Sequence, residues 1–201
     1  MSEFFMMARA DEGWLTGHLL ILGNSWKLGT RSILEAPPAE TDGHQILWSG
    51  TLAESPFESS PLNFMKSGWD RFHTAIKTLP SGTMIRPHAS HVISDAPSCM
   101  HMKALMPSSQ VGLALSPASM LTPSMHRDAE LHLERIFGMA APHADALILE
   151  DLDHQCRPVD VGEGSLDGPL IGRLIKEHLP ASCPIIIAGS DRDMARSWLG
   201  W

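Results

Sequence analysis

Imidazole, guanidinium and carboxylate groups stand at the ends of two short apolar runs of the sequence. Arg86 closes the first run and His88 and His91 follow it, while Glu150 and Asp151 follow the second. A histidine can act as a general base near neutral pH, and a neighbouring carboxylate can hold its tautomer. An arginine can anchor a carboxylate or a phosphate by a bidentate contact. These residue types predict proton transfer on a small polar molecule.

Each of these groups also has a structural interpretation. Arg86 can form an ion pair with Glu150 or Asp151, and the two histidines can be loop residues held by backbone hydrogen bonds. Asp151, Asp153 and His154 lie in a polar turn, a kind of segment that is usually solvated. Because the chain has 11 histidines, a metal site is a further alternative. Its ligands would be His88, His91, Asp151 and Asp153.

Six short apolar runs, each bounded by Gly, Pro or Ser, predict the strands that position these groups. The runs are nearly continuous rather than alternating, which is typical of strands buried on both faces of a parallel sheet. They are His18–Leu22, Gln45–Trp48, Thr83–Arg86, Val111–Leu115, Ala146–Leu149 and Pro184–Ala188.

Helical spacing of apolar residues predicts three helices between the strands. The clearest covers Pro123–Met139, where Thr122 is a suitable N-cap and Pro123 suits the first helical position. Apolar residues at helical spacing also predict helices over Ser165–Leu179 and Pro61–Leu79. Gly68 weakens the middle of the last of these.

The alternation of strands and helices implies right-handed βαβ crossovers and an α/β fold. An open doubly wound sheet and a (β/α) barrel both satisfy this pattern. A complete eight-unit barrel typically needs ~200–250 residues, and this chain has 201 residues and six predicted strands. We therefore expect one domain over residues 1–201, a shortened or partial (β/α) TIM-type barrel with parallel strands and outer helices. Its catalytic groups would lie behind the carboxyl ends of the strands.

Composition and charge narrow the class of protein. Hydrophobic residues make up 43% of the chain, enough for a sizeable core, and the net charge of −8 argues against binding to nucleic acid or an anionic membrane. No apolar run approaches the ~20 residues that span a bilayer. The three cysteines form no CxxC pair, and the N-terminus does not have the pattern of a signal peptide. These features predict a cytoplasmic protein.

Four stretches carry a resemblance to a known family, in the order in which that family has them. They are Met84-Ile-Arg-Pro-His88, Val111-Gly-Leu-Ala-Leu-Ser-Pro-Ala-Ser119, Ala146-Leu-Ile-Leu-Glu-Asp151 and Val159-Asp-Val-Gly-Glu-Gly-Ser-Leu-Asp167. This order and spacing resemble the xylose-isomerase-like superfamily of sugar (phosphate) isomerases and epimerases. The resemblance covers roughly residues 83–189. It implies a TIM-type barrel, a sugar-type ligand and a divalent metal held at the strand ends.

The metal ligands that the resemblance implies are replaced in this chain. Arg86 stands where the family has Glu, Ser116 stands for Asp, and Ser119 and Ile148 stand for His; the last predicted strand has no Glu. We therefore assign no metal ligand and no cofactor, although the family implies a divalent metal. His88, Asp151 and the Gly162-Glu163-Gly164 turn still match.

We expect the site to contain two sets of residues. The catalytic set is His88, His91, Asp151 and Glu163, and the substrate-binding set is Arg86, Glu150, Asp153 and His154. Without a metal, Arg86 would have to stabilise the enolate that an isomerase or epimerase forms. Glu163 has a structural alternative, in which it caps or braces the following helix.

Three functions remain open at this point. The first is a sugar or sugar-phosphate isomerase or epimerase that transfers a proton next to a carbonyl group. The second is a non-catalytic barrel that binds a small polar ligand, or nothing, at the same edge. The third is a protein that acts through subunit association, as a homo-oligomer, because unpaired strand edges favour a partner.

Overall fold

The computed structural model describes residues 4–7, 18–21, 24–32, 44–54, 58–106, 111–188 and 192–201. Within these residues, eight strands form one sheet in the order β1-β10-β7-β6-β5-β4-β3-β2, and two short strands, β8 and β9, form a separate hairpin. The strands are β1 (Phe4–Met7), β2 (His18–Ile21), β3 (Asn24–Ser32), β4 (His44–Trp48), β5 (Thr83–Arg86), β6 (Val111–Leu115), β7 (Ala146–Leu149), β8 (Asp151–Leu152), β9 (Pro158–Val159) and β10 (Ile185–Ala188).

Seven of the eight strands are parallel to their neighbours, as expected for βαβ units. The exception is β2, which pairs antiparallel with β3. The prediction of a parallel strand at residues 18–22 was therefore wrong in direction, and Leu22 lies outside the described residues. In the described part of the chain, the edge strands β1 and β2 are not hydrogen-bonded to each other. The fold is thus an α/β barrel that is partial and unclosed.

In the described part of the chain, five α-helices accompany the sheet: α1 (Lys66–Ile76), α2 (Ala96–Leu105), α3 (Ala129–Ala140), α4 (Gly168–His178) and α5 (Arg192–Trp198). Helix α2, which the sequence did not predict, begins with a capping box between Asp95 and Ser98. Helix α4 begins three residues later than predicted, because Asp167 caps it by accepting a hydrogen bond from the Leu170 N–H.

Two predicted helices begin later than their apolar spacing indicated. Residues 123–128 form a turn and a short 3-10 helix, so α3 begins at Ala129 and Thr122 is not its N-cap. The hydroxyl of Thr122 instead bonds to that of Ser124. Residues 61–64 are also a 3-10 helix, and α1 begins at Lys66. Gly68 fits there because a Cβ would meet the backbone of Leu62 and Asn63.

The buried side chains of each central strand divide between two faces, as strand geometry requires. One face packs into the main hydrophobic core with the helices, and its members include Leu47, Ile85, Leu113, Leu115, Leu147, Leu149, Ile185 and Ile187. The alternate positions are also buried, on the opposite face: Ile46, Met84, Ala114, Ile148 and Ile186. This second face is continued by the polar residues that form the site.

Candidate active site

Four polar or aromatic residues extend the second face at the carboxyl ends of neighbouring strands. Trp48, Arg86, Ser116 and Glu150 each lie two positions beyond a buried residue of that face on β4, β5, β6 and β7. Trp48 and Arg86 are register partners in the β4–β5 pair. Because side chains alternate along a strand, all four point to the same side of the sheet at the edge where barrels bind ligands.

Arg86 and Glu150 form a buried ion pair, and Ser116 joins it. Nη2 of Arg86 donates to Oε2 of Glu150 and lies 3.3 Å from the hydroxyl of Ser116. That hydroxyl is also 3.1 Å from Oε2 of Glu150. Within the described residues, Nε and Nη1 of Arg86 have no hydrogen-bond partner, although both are buried. A guanidinium removed from water with two nitrogens unsatisfied is unfavourable unless an acceptor reaches it.

Trp48 connects this ion pair with the two histidines. The guanidinium carbon of Arg86 lies 4.0 Å from the centre of a Trp48 ring, a cation–π contact. The rings of His88 and His91 each meet the Trp48 ring edge-on at 5.4 Å, and they lie 4.8 Å from each other. Arg86, His88 and His91 therefore share one aromatic support.

Backbone hydrogen bonds define the protonation of the two histidines. Nδ1 of His88 accepts the N–H of Ser90 at 3.1 Å, and Nδ1 of His91 accepts the N–H of Gly50 at 3.2 Å. The neutral form of each ring therefore carries its proton on Nε2. Burial, followed by the charges of His91 and Arg86, lowers the pKa of His88 to about 3. His88 is consequently neutral at physiological pH.

Asp151 is fully buried and its oxygens are engaged with the backbone. Its carboxylate accepts the N–H groups of Leu152, Gly164 and Leu166 at 2.8–3.0 Å. Three amide donors suit a carboxylate, so this side chain holds the loop of residues 160–167 against β8. Glu163 is exposed in that loop, where its N–H bonds to the carbonyl of Asp160.

Asp153 and His154 lie at the tip of the β8–β9 hairpin, where Asp153 makes local contacts and His154 contacts His126. Asp153 accepts the N–H groups of Gln155 and Arg157 and forms an ion pair with the Arg157 side chain at 2.6 Å. The backbone hydrogen bond from Arg157 is the main cause that lowers the pKa of Asp153. The ring of His154 packs against that of His126 at 5.9 Å.

The structure thus brings together Arg86, His88, His91 and Glu150 of the eight predicted site residues. Asp151 follows Glu150 in the sequence, but its side chain holds the loop of residues 160–167. Sequence reasoning missed Trp48, and it treated Ser116 only as a replaced ligand. The signal that could have found both is alternation, since each stands two positions beyond an inward-facing residue of a predicted strand.

The residues at the strand ends do not fit a divalent metal. Arg86 is a cation, Ile148 has no donor atom, and the hydroxyl of Ser119 lies 2.9 Å from the carbonyls of Pro87 and Ser116. Within the described ranges, no group of three or more His, Cys, Asp or Glu side chains is placed to hold a metal ion. The alternative set His88, His91, Asp151 and Asp153 therefore does not assemble as a ligand set.

The fold matches solved structures, although no protein-family model and no curated protein matches the chain. A D-tagatose 3-epimerase-like protein superposes with a TM-score of 0.50 at 10% identity, over 78% of this chain and 60% of that one. This similarity shows an α/β barrel fold. An L-ribulose 3-epimerase is also similar, with a TM-score of 0.48 and 14% identity over 80% of this chain and 54% of that one.

This chain covers only part of the length of these neighbours. The chain spans about 60% of the length of the first of them. At such identities the similarity concerns the fold, not the chemistry. Among the described residues, no helix combines the length and apolar character that crossing a bilayer requires.

Proposed function

We propose that this chain is a sugar isomerase/epimerase-like protein that binds a small, oxygen-rich ligand beside Arg86, without a divalent metal. The observation that supports this most is the buried guanidinium at the carboxyl edge of β5, with Nε and Nη1 unpartnered in the described structure. Ligands of barrel proteins bind at this edge. An acceptor oxygen of a sugar would satisfy the Nε and Nη1 donors of Arg86 that have no partner among the described residues.

The reaction proposed at this position removes a proton from the carbon next to a carbonyl group and returns it to a neighbouring carbon or to the opposite face. Arg86 would donate to the carbonyl oxygen as negative charge develops on it. His88 and His91 are the proposed catalytic groups beside Arg86. To accept the proton on Nδ1, either ring must first release the backbone N–H that this nitrogen accepts. Asp151 would contribute by holding the loop of residues 160–167, and Glu163 would contribute as a residue of that loop.

The two backbone hydrogen bonds on the imidazoles favour a second function. An imidazole whose basic nitrogen already accepts a hydrogen bond is a poor base. His88 is in addition a weak base, because its pKa is about 3. The second candidate is therefore a non-catalytic barrel that binds the same kind of ligand. In both cases we propose that Asp153 and His154 contact the ligand after the β8–β9 hairpin moves toward it.

Proton exchange separates the two candidates. The protein is incubated in D₂O with a panel of aldoses, ketoses and their phosphates, with a chelator present, and deuterium incorporation is followed by NMR. The same compounds are titrated by calorimetry. Exchange that His91→Gln abolishes while binding persists supports the isomerase. Binding without exchange supports the non-catalytic barrel, and the absence of both would overturn the proposal.

Two further expectations from the sequence stand as proposals. The three cysteines Cys99, Cys156 and Cys183 are free thiols, which is compatible with a reducing, cytoplasmic setting. Association of two copies through the sheet edges at β1 and β2 would pair edge strands that have no second strand partner among the described residues. Sedimentation at micromolar concentration tests this association, and a clean monomer would contradict it.

A further inference from the structure

A buried asparagine lies next to the loop that carries the two histidines. Asn63 is 0% exposed, whereas its neighbours Leu62 and Phe64 in the 3-10 helix of residues 61–64 are 48% and 53% exposed. This helix turns its polar side chain inward and its apolar side chains outward, the reverse of the usual arrangement. Burial of an amide is unfavourable unless hydrogen bonds replace those to water, so the hydrogen bonds of Asn63 must account for this orientation.

The side-chain amide of Asn63 bonds through both its oxygen and its nitrogen. Oδ1 accepts the N–H of Leu52 at 2.6 Å, and Nδ2 donates to Oγ1 of Thr51 at 2.8 Å and to the carbonyl of Ser90 at 2.7 Å. Thr51 and Leu52 follow β4, whereas Ser90 lies in the loop after β5. A single side chain therefore joins the segments that follow two neighbouring strands at the carboxyl edge of the sheet.

The two segments that Asn63 joins also orient the two imidazoles. The N–H of Ser90 bonds to Nδ1 of His88, and Ser90 directly precedes His91. From the segment after β4, the N–H of Gly50 bonds to Nδ1 of His91. Asn63 thus holds together the backbone that donates to both rings.

Helix α1 fixes the position of the 3-10 helix that carries Asn63. A Cβ on Gly68, in the first turn of α1, would lie 2.5 Å from the carbonyl oxygen of Leu62 and 2.7 Å from that of Asn63. The glycine therefore lets the 3-10 helix lie directly against α1. A side chain at this position would push the 3-10 helix away, and would move Asn63 without changing any polar group near the histidines.

We infer that Asn63 is a positioning residue, which orients His88 and His91 by holding Ser90 against the segment that follows β4. This inference rests on the proposed function for the role of the two imidazoles, because proton transfer depends on fixed ring nitrogens. Asn63 acts through the backbone and needs no contact with the ligand. Its loss should therefore free the N–H groups of Gly50 and Ser90.

Amide hydrogen exchange tests this inference. In Asn63→Ala we expect the Gly50 and Ser90 amides to exchange at least about tenfold faster than in the wild type, because the segments that hold them are released. Ring ¹⁵N shifts in NMR give a readout that a loss of overall stability alone would not move. Wild-type His88 and His91 should each show one tautomer, with the proton on Nε2, and the variant should average two tautomers.

Gly68→Ala is a second variant, which keeps Asn63 itself. It displaces the 3-10 helix, and we expect faster exchange at Gly50 and Ser90 here also. Because this helix exposes its apolar side chains, it can move outward without opening the main core. Circular dichroism establishes that each variant is folded, and Gly68→Ala carries the test if Asn63→Ala does not fold.

Asp145→Ala is the matched control at the opposite end of the strands. Asp145 directly precedes β7, and its carboxylate accepts the N–H of Leu113 at 2.7 Å. Its loss also removes a side-chain hydrogen bond to the backbone, but far from the histidines. Exchange at Leu113 should become faster, while the Gly50 and Ser90 amides and both histidine rings should behave as in the wild type.

The outcomes distinguish this inference from the proposed function. Wild-type exchange and a single tautomer in a folded Asn63 or Gly68 variant would overturn the inference, without bearing on whether the protein binds a sugar. Equal acceleration at Gly50 and Ser90 in Asp145→Ala would also overturn it, because the effect would then be one of overall stability. If the wild type neither binds nor exchanges protons with any sugar of the panel, the proposed function fails, whereas the amide measurements still decide whether Asn63 places the rings.

Discussion

Nη2 of Arg86 donates a hydrogen bond to Oε2 of Glu150, and each of these side chains is 1% exposed. The two residues lie at the ends of β5 and β7, and β6 stands between these strands in the sheet. Ser116, just beyond β6, bonds to both partners. The ion pair thus links three consecutive strands at the edge where the proposed ligand binds, and it sets the charge of the site.

Removing one partner of this pair should be strongly destabilising. Glu150→Gln leaves Arg86 buried without a counter-charge, and we expect the free energy of unfolding to fall by about 3–5 kcal/mol. Urea denaturation measures the change. Glu134→Gln is the matched control, because Glu134 forms an exposed ion pair with Arg173 and should change stability by less than ~1 kcal/mol. Equal effects of the two variants would contradict a buried, energetically coupled pair.

Gly164 should resist substitution. A Cβ at this position would overlap Oδ1 of Asp151 and the carbonyl oxygen of Leu152. We expect Gly164→Ala to destabilise the protein by about 1–3 kcal/mol, because the loop must move off the carboxylate that holds it.

The control for Gly164 is Gly138, in the exposed part of α3, where a Cβ would meet nothing within 4 Å. Alanine there should stabilise the helix by ~0.5–1 kcal/mol. Thermal unfolding followed by circular dichroism compares the two variants. A neutral Gly164→Ala would show that the loop is not held against Asp151.

The stability of the protein should depend on pH through His88. Its pKa is about 3 in the folded protein and 6.5 ordinarily, so between these values the unfolded chain binds more protons. Stability therefore rises with pH from about 3 to 6.5 and is lost as the solution is acidified through that range.

Two measurements check this dependence on His88. Ring chemical shifts in NMR should report a neutral imidazole down to about pH 4. Denaturation curves of His88→Gln should have a smaller slope of stability against pH over the same interval. A His88 ring that titrates near 6.5 in the folded protein would contradict its burial beside His91 and Arg86.

Divalent metals should have no specific effect on the site. The carboxylates at the strand ends are already engaged, Glu150 with the Arg86 guanidinium and Asp151 with backbone N–H groups. We therefore expect less than about a tenth of an equivalent of any transition metal in protein purified without chelator. Elemental analysis measures the content. Thermal unfolding with and without Mn²⁺ measures the affinity, and a stoichiometric metal or a large shift in Tm would contradict the donor chemistry described above.

The central strands could be predicted because they are short apolar runs buried on both faces. The predictions over Thr83–Arg86, Val111–Leu115 and Ala146–Leu149 agree with the structure residue for residue. The parallel barrel architecture and its similarity to sugar isomerases and epimerases were also predicted, and both are confirmed at the level of the fold. Strand β3 was missed because its sequence, NSWKLGTRS, is polar and lacks a continuous apolar run.

Helix starts were less predictable than the strands. Apolar spacing continues through residues 123–128 and 61–64, but the backbone there forms tighter turns. The spacing of apolar residues indicates which face of a helix is buried. It does not indicate where 3-10 hydrogen bonding changes to α-helical hydrogen bonding.

The sequence by itself determined which residue types stand at the strand ends: a cation, two serines, two carboxylates and two histidines. Only the tertiary structure decided how those residues pair. Arg86 could have bonded to Glu150 or to Asp151, and the structure separates the two because successive residues point to opposite faces. Glu150 faces the guanidinium, whereas Asp151 turns to the amides of residues 164 and 166. Contacts between residues 64 positions apart depend on strand order and register, which local sequence does not encode.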